Sequence, residues 1–379
     1  MTAQDLTFPS RRKRAVFRTV LLVLVCLTGL LLLGLAEWTM RWRRSSLGVQ
    51  DVMDPRLIRY DPDLGWALNP GSAGGHTNSD FGTVYHVSMT GFRADSTCLE
   101  RRPATRQIFL GDSFVFGLGV PEDETFVHRL NTEASSKGCF VNCGVPGFST
   151  DQELLLLDSI LRDLQPDVVW LVIYLANDLL DIRQGRAIQV NQPKPFFEWR
   201  EGRLERRHSP VPRQTVESPA AAPDLAFAML GPELCRNSWR ISLERRFLLF
   251  QSLSDRWLSP PDVTLAIAER LPPALDLFCA LIRAMEEKCE KQSVRMRVAF
   301  MPGRSMVQKP DSIPGQYQRL VLGMLKTRPE LNRLAALDLY PSLVSANQAN
   351  PGRLFFPNDG HLTREGHEVV AKAIASSLE

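Results

Sequence analysis

The chain has 379 residues, 44% hydrophobic and 23% charged, with 45 Lys and Arg against 42 Asp and Glu for a formal net charge of +3. This is ordinary globular composition at a length that can bury a large core in one domain or two, which excludes wholesale disorder, a collagen-like chain and a polytopic membrane protein. No repeat of 20–50 residues argues for a solenoid, and the charge is unevenly placed. Residues 1–44 hold eight basic residues (Arg11, Arg12, Lys13, Arg14, Arg18, Arg41, Arg43, Arg44) against Asp5 and Glu37, which leaves 37 basic and 40 acidic residues in the remainder. The body is therefore no polycation, and no nucleic-acid partner is expected.

Thr19 to Ala36 are eighteen residues without a charge. As a helix they span about 27 Å, close to a bilayer's hydrocarbon core. Five basic residues precede the run and three follow it, so the positive-inside rule favours a cytoplasmic N-terminus and a body outside the cytoplasm. Trp38 and Trp42 suit an interfacial aromatic belt. The competing reading is a cleaved signal peptide ending at Gly34-Leu35-Ala36. The expected organisation is a basic cytoplasmic tail (1–18), a transmembrane signal anchor (19–36), a lead-in (37–104) and an α/β domain (105–379) with an insertion at 186–262. Six cysteines lie outside the apolar run: Cys98, Cys139, Cys143, Cys235, Cys279 and Cys289. They permit fifteen pairings, and buried free thiols are the alternative for several of them. Their spacing suits no metal, and no cofactor is expected.

The lead-in is rich in Gly, Pro, Asp and Ser and reads as irregular, with a small hairpin near TVYHVSM (83–89). IFLGDSF (108–114) reads as a short strand entering a turn, followed by a helix over about 124–136. CFVNCGV (139–145) predicts a second strand and TDQELLLLDSILRDL (150–164) an amphipathic helix capped by Thr150 or Asp151. VVWLVIYLA (168–176) is a continuous apolar run, as expected of a strand buried on both faces of a parallel sheet. FFEWREGRLERRH (196–208) has the pattern of a hairpin turning at Glu201-Gly202. A long helix (about 263–291), a strand (296–302), a helix (about 315–327) and a terminal helix (363–378) follow. Strands alternating with helices imply a doubly wound, mainly parallel α/β sheet, whose ligands sit at the carboxyl ends of the strands.

Four loops in such positions carry reactive side chains: Gly111-Asp112-Ser113, Asn142 to Gly147, Asn177-Asp178, and Asp359-Gly360-His361. Singly each reads as turn chemistry; gathered in one pocket they supply a nucleophile, a base with an orienting acid, and oxyanion donors. The blocks GDSFVFGLGV (111–120), NCGVPGF (142–148), LAND (175–178) and NDGHLTREGH (358–367), in this order, resemble those of the SGNH (GDSL) hydrolase family over about residues 100–379. RYDPDLGWALNP and MTGFRAD, within 59–95, are similar to the lead-in of a membrane-anchored bacterial branch.

The resemblance implies a flavodoxin-like three-layer αβα fold and a serine acyl-enzyme mechanism. Ser113 would be the nucleophile, His361 its base and Asp359 the acid that orients His361. The N–H groups of Ser113 and Gly147 and the amide of Asn177 would stabilise the oxyanion. Asp112 would shape the turn. Two positions depart from the family pattern. Asn358 stands three residues before His361, where the family has Asp, and Leu175 replaces the Gly of the third block.

The remaining candidates read as structural. His367 is expected to pack at the start of the last helix. His76, His86, His128 and His208 have no convergent partners in the sequence. Phe114, Phe116 and Phe148 are expected in the core rather than in an acyl pocket. Arg203, Arg206 and Arg207 form a solvated hairpin face, or else a site for an anionic glycan. The expected activity is an esterase acting on a small-molecule or carbohydrate ester, possible acetyl groups included. The alternatives are an O-acyltransferase of envelope polysaccharide and a non-catalytic scaffold.

Overall fold

The structure is a computed structural model. It describes residues 11–46, 51–94, 98, 105–213, 229, 239–247, 249–250, 253–254, 258–259 and 261–378. Much of the expected insertion, with Cys235, and the end of the expected lead-in lie outside the described residues. The chain divides into two units, Met1–Gly48 with Cys235–Ser259, and Val49–Leu234 with Pro260–Glu379.

The first unit is built on α1 (Arg11–Ser46), longer at both ends than the uncharged run it contains. Ala15–Trp42 is long and apolar enough to cross a membrane, with a hydropathy of 2.7. The hydroxyls of Thr19 and Thr28 donate to the carbonyls of Ala15 and Leu24, four residues back. These polar side chains are thus satisfied within the helix, as a lipid environment demands. Beyond the apolar run, Glu37 accepts from Leu249 N at 2.7 Å.

The second unit opens with five short antiparallel strands: β1 (Val52–Met53), β2 (Ile58–Asp61), β3 (Gly65–Leu68), β4 (Ala73–Thr77) and β5 (Gly82–His86). They form a three-stranded sheet β1-β4-β5 and a hairpin β2-β3. The lead-in is therefore more ordered than its composition suggests. It is also bonded to the α/β body. Trp66 Nε1 donates to Pro146 O at 3.0 Å, and Tyr85 Oη accepts from Gly119 N at 2.8 Å. Arg93, 1% exposed, donates to the carbonyls of Phe116, Gly117 and Val120.

The body holds β6 (Arg106–Gly111), β7 (Cys139–Gly144), β8 (Val168–Tyr174), the hairpin β9 (Phe196–Arg200) and β10 (Arg203–Arg207), β11 (Arg295–Met301) and β12 (Leu337–Asp338). Five of these form one sheet in the order β7-β6-β8-β11-β12, every pair parallel. This is the doubly wound order expected, and its direction reverses between β6 and β8, where such folds open a crevice. Every residue of β7 and the first six of β8 are buried, which explains the unbroken apolar run of β8. In register, Leu171 lies between Leu110 and Val298. Trp170 stacks on Phe109 at 5.6 Å, and its indole N–H is met by Gln107.

The helices of this unit used below are α2 (Ser113–Phe116), α3 (Phe126–Glu133), α4 (Thr150–Leu164), α5 (Asp178–Asp181), α6 (Pro272–Lys291), α7 (Ile313–Lys326), α8 (Tyr340–Ala349) and α9 (Arg364–Ser376). Three expectations need correction. Ser149, not Thr150 or Asp151, occupies the N-cap of α4. The helix expected over 263–291 is two helices, because Pro272 and Pro273 lack the N–H groups to continue the preceding Thr264–Ala268 turn. Helix α8 was not foreseen, since YPSLVSANQA has almost no apolar periodicity.

Cys98 and Cys139 form a disulfide, while Cys143, Cys279 and Cys289 are buried thiols. The hairpin turns at Glu201 and Gly202, both with positive φ (48° and 76°), as a two-residue hairpin turn requires.

Candidate active site

Ser113 follows the end of β6. Asp112 caps α2, its carboxylate accepting from Phe114 N at 2.8 Å, so this residue shapes the turn as expected. The turn lies hard against β7: a Cβ on Gly144 would sit 2.2 Å from Phe116 N. Only glycine permits that approach. The result holds Ser113 at the carboxyl end of the sheet with 4% of its surface exposed.

His361 arrives from the loop before α9. Its Nε2 lies 2.7 Å from Ser113 Oγ, across 248 residues of chain, and its Nδ1 lies 2.5 Å from Asp359 Oδ1. A carboxylate can only accept, so Nδ1 carries the proton and Nε2 is left to accept from the serine hydroxyl. His361 N also donates to Asp359 Oδ1, at 3.1 Å. Burial raises the Asp359 carboxyl, but the His361 hydrogen bonds and charge outweigh it and hold it below the ordinary carboxylate range. Phe114 packs its ring 4.9 Å from the imidazole.

Asn358, at the family's usual acid position, faces elsewhere. Its Nδ2 donates to Asp80 Oδ1 at 2.6 Å, and its backbone N–H donates to Asp80 Oδ2 at 2.7 Å. Of the two neighbours, Asp359 is the one that meets the histidine.

A cleft of about 960 Å³ opens over Ser113 and His361. Gly147 lines it in a left-handed conformation (φ 79°), and a Cβ there would lie 2.8 Å from Val190. Asn177 is fully buried and places its amide Nδ2 3.5 Å from Asp181 Oδ2. Ser113 and Gly147, two of the three expected oxyanion donors, line the cleft. Leu175 is buried too, with its N–H on Met301 O at 3.1 Å, and it does not line the cleft.

Beside the nucleophile turn lies a group of buried acids that the sequence did not announce. Burial pushes the Asp112 and Asp181 carboxyls up to about 6. Burial and neighbouring negative charge raise Glu153 and Asp178 well above the usual range. Asp151 is paired with Lys194, both side chains at 0% exposure. These groups are invisible as a set in the sequence because they come from three separate segments. Among the described residues, no group of three or more His, Cys, Asp or Glu side chains is arranged to hold a metal ion.

The other sequence candidates divide. His367 is buried, its Nδ1 accepting from Phe126 N at 3.2 Å. Phe116 and Phe148 are core residues. His76 does have partners, contrary to expectation: Nε2 meets Asp51 at 2.6 Å and Nδ1 meets Tyr85 Oη at 3.1 Å, and it lines the cleft. His208 likewise meets Lys194 O at 3.1 Å. Arg203 is exposed, Arg206 pairs with Asp63, and Arg207 pairs with Glu198 and Glu205; none lines the cleft.

The fold and the site define a class: a doubly wound α/β protein with a Ser-His-Asp relay at the carboxyl ends of its strands, the arrangement implied by the SGNH/GDSL resemblance. Comparison with solved structures returns lipolytic proteins and esterases at low identity. A member of the lipolytic protein G-D-S-L family from Veillonella parvula is 14% identical, with a TM-score of 0.39 over 72% of this chain and 97% of its own. An acetyl xylan esterase from Geobacillus stearothermophilus is 13% identical, with a TM-score of 0.35 over 73% and 94%. An alpha/beta hydrolase enzyme from the metagenome of Lake Arreo, Spain, is 11% identical, with a TM-score of 0.40 over 74% and 97%. No family model and no curated protein matches the chain. At such values the likeness says nothing of substrate, and the functional reading stands on the site.

Proposed function

We propose that the chain is a serine esterase of SGNH type, acting on an ester outside the cytoplasm. The observation that carries this reading is the unbroken relay from Ser113 Oγ through His361 to Asp359 at 2.7 and 2.5 Å. A serine hydroxyl is a poor nucleophile until a base within hydrogen-bond reach takes its proton. His361 removes that proton as Oγ attacks the ester carbonyl, and Asp359 stabilises the imidazolium. The N–H groups of Ser113 and Gly147 receive the oxyanion. Collapse expels the alcohol, which takes the proton from His361, and leaves an acyl group on Ser113. Water, activated by the same imidazole, releases it.

The cleft is larger than an acetyl group needs. Trp66 and Tyr60 line it together with the polar Arg59, Gln189 and Gln192. That mixture suits a carbohydrate leaving group. The same room could seat an acceptor hydroxyl in place of water, which is the O-acyltransferase alternative. The body's placement outside the cytoplasm is supported by the basic residues before the apolar run and by the Cys98–Cys139 disulfide.

The test is fluorophosphonate labelling of the detergent-solubilised full chain, read by intact mass beside Ser113→Ala. A single adduct that vanishes in the variant is the expected outcome. A folded wild type that takes no label would return the chain to the scaffold reading.

A further inference from the structure

We infer that Asn78 and Asp80, in the turn between β4 and β5, are positioning residues that hold Asp359 against His361. The inference rests on the esterase reading for its catalytic meaning, but its geometry stands apart. Asp80 accepts three hydrogen bonds from the acid's own loop: Asn358 N and Asp359 N, each at 2.7 Å to Oδ2, and Asn358 Nδ2 at 2.6 Å to Oδ1. Asn78 is itself fixed, since its Oδ1 accepts from Asp80 N at 2.9 Å and Phe81 N at 3.1 Å. That leaves Asn78 Nδ2 to donate to Asp359 Oδ2 at 3.1 Å, across 281 residues.

Asp359 Oδ1 takes His361 N and Nδ1, and Oδ2 takes Asn78. The carboxylate is thereby held at both oxygens, and its plane is set by the lead-in. Packing reinforces the contact, for the Phe81 ring lies 5.1 Å from that of Phe356. Such support matters here because the acid sits two residues before the histidine. Residues 358–360 form a short exposed-to-half-buried loop ending in Gly360 at φ 91°. The loop's own bonds, Gly360 N to Phe356 O and His361 N to Asp359 Oδ1, fix its turn, and the clamp fixes the second carboxylate oxygen.

The experiment uses the full chain in detergent and an aryl acetate as the probe ester. Asp80→Ala should lower kcat by about 10- to 100-fold with KM within about threefold, and Asn78→Ala by less. The imidazolium loses its held counter-ion, so the acidic limb of the kcat/KM profile should also move to lower pH. Asp80→Asn, which keeps an acceptor for the two backbone N–H groups, should recover part of the loss. A fall in activity with an unmoved limb in both alanine variants would mean lost folded protein and would overturn the inference, as would wild-type kcat.

A second readout does not depend on turnover. The low-field proton resonance of the His361 Nδ1–H shared with Asp359 should shift or broaden away in Asp80→Ala or, if that variant does not fold, in Asn78→Ala. An unchanged resonance overturns the clamp. If the wild type hydrolyses no ester and takes no fluorophosphonate, the esterase reading fails while this resonance still decides the clamp.

Discussion

Asp359 and Asn358 are adjacent, equal in size and both polar, yet their surroundings give them different work. Asp359 has His361 on one oxygen and Asn78 on the other, while Asn358 is turned to Asp80. Asp359→Asn presents an amide where the imidazole needs an acceptor, which favours the wrong tautomer. Turnover should fall by about 10³–10⁴-fold. Asn358→Ala removes one of three hydrogen bonds to Asp80 and should cost about tenfold or less. Steady-state kinetics of the two variants decide it, and the reverse order would reassign the acid. Lys194 is the second residue with a sharp expectation. It is fully buried on Asp151, near the Glu153, Asp178 and Asp181 carboxyls, which burial raises. Lys194→Met strands a carboxylate in the interior and should cost about 3–5 kcal/mol in denaturant unfolding.

At the scale of elements, α9 and α3 meet through His367, whose ring packs on Phe126 and accepts from its backbone N–H. Burial, with Arg93 and Arg129 nearby, pushes this imidazole down to about 3. The unfolded chain takes up a proton below about 6.5, whereas the folded chain stays neutral to about 3. The contribution is complete above the unfolded value and is lost as pH falls through this window, at up to about 1.4 kcal/mol per pH unit. His367→Gln keeps an acceptor for Phe126 N and cannot charge. Its melting temperature should therefore fall less than the wild type's between pH 7 and 5, and parallel losses would refute the assignment. Four strands of the parallel sheet were legible because burial on both faces demands short apolar runs, clearest in β8, while the two-residue β12 is too short to leave a pattern. In the lead-in only the hairpin that ends in β5 was legible; the other strands, at two to five residues with Gly and Asp among them, owe their order to bonds such as Trp66 to Pro146 rather than to propensity.

For the whole molecule, α1 gives a charge-based expectation. A reporter joined to the C-terminus should be active only outside the cytoplasm, and a cytoplasmic signal would invert the topology. What the sequence determined by itself was the α/β class, the apolar helix and the loops that carry Ser113, Gly147 and His361. The first two follow from local rules, since apolar runs make buried strands and a long uncharged run a spanning helix, while Ser113 and Gly147 follow strand ends and His361 precedes the last helix in the order the resemblance implies. What only the tertiary structure decided was that Asn358, at the family's usual acid position, turns to Asp80, and that Asp51 and Tyr85 partner His76. It also decided that Asn78 and Asp80 brace a loop some 280 residues away. A hydrogen bond of that kind leaves no periodicity and no spacing in the chain, because it is set by where two unrelated loops come to rest once the core beneath them has packed.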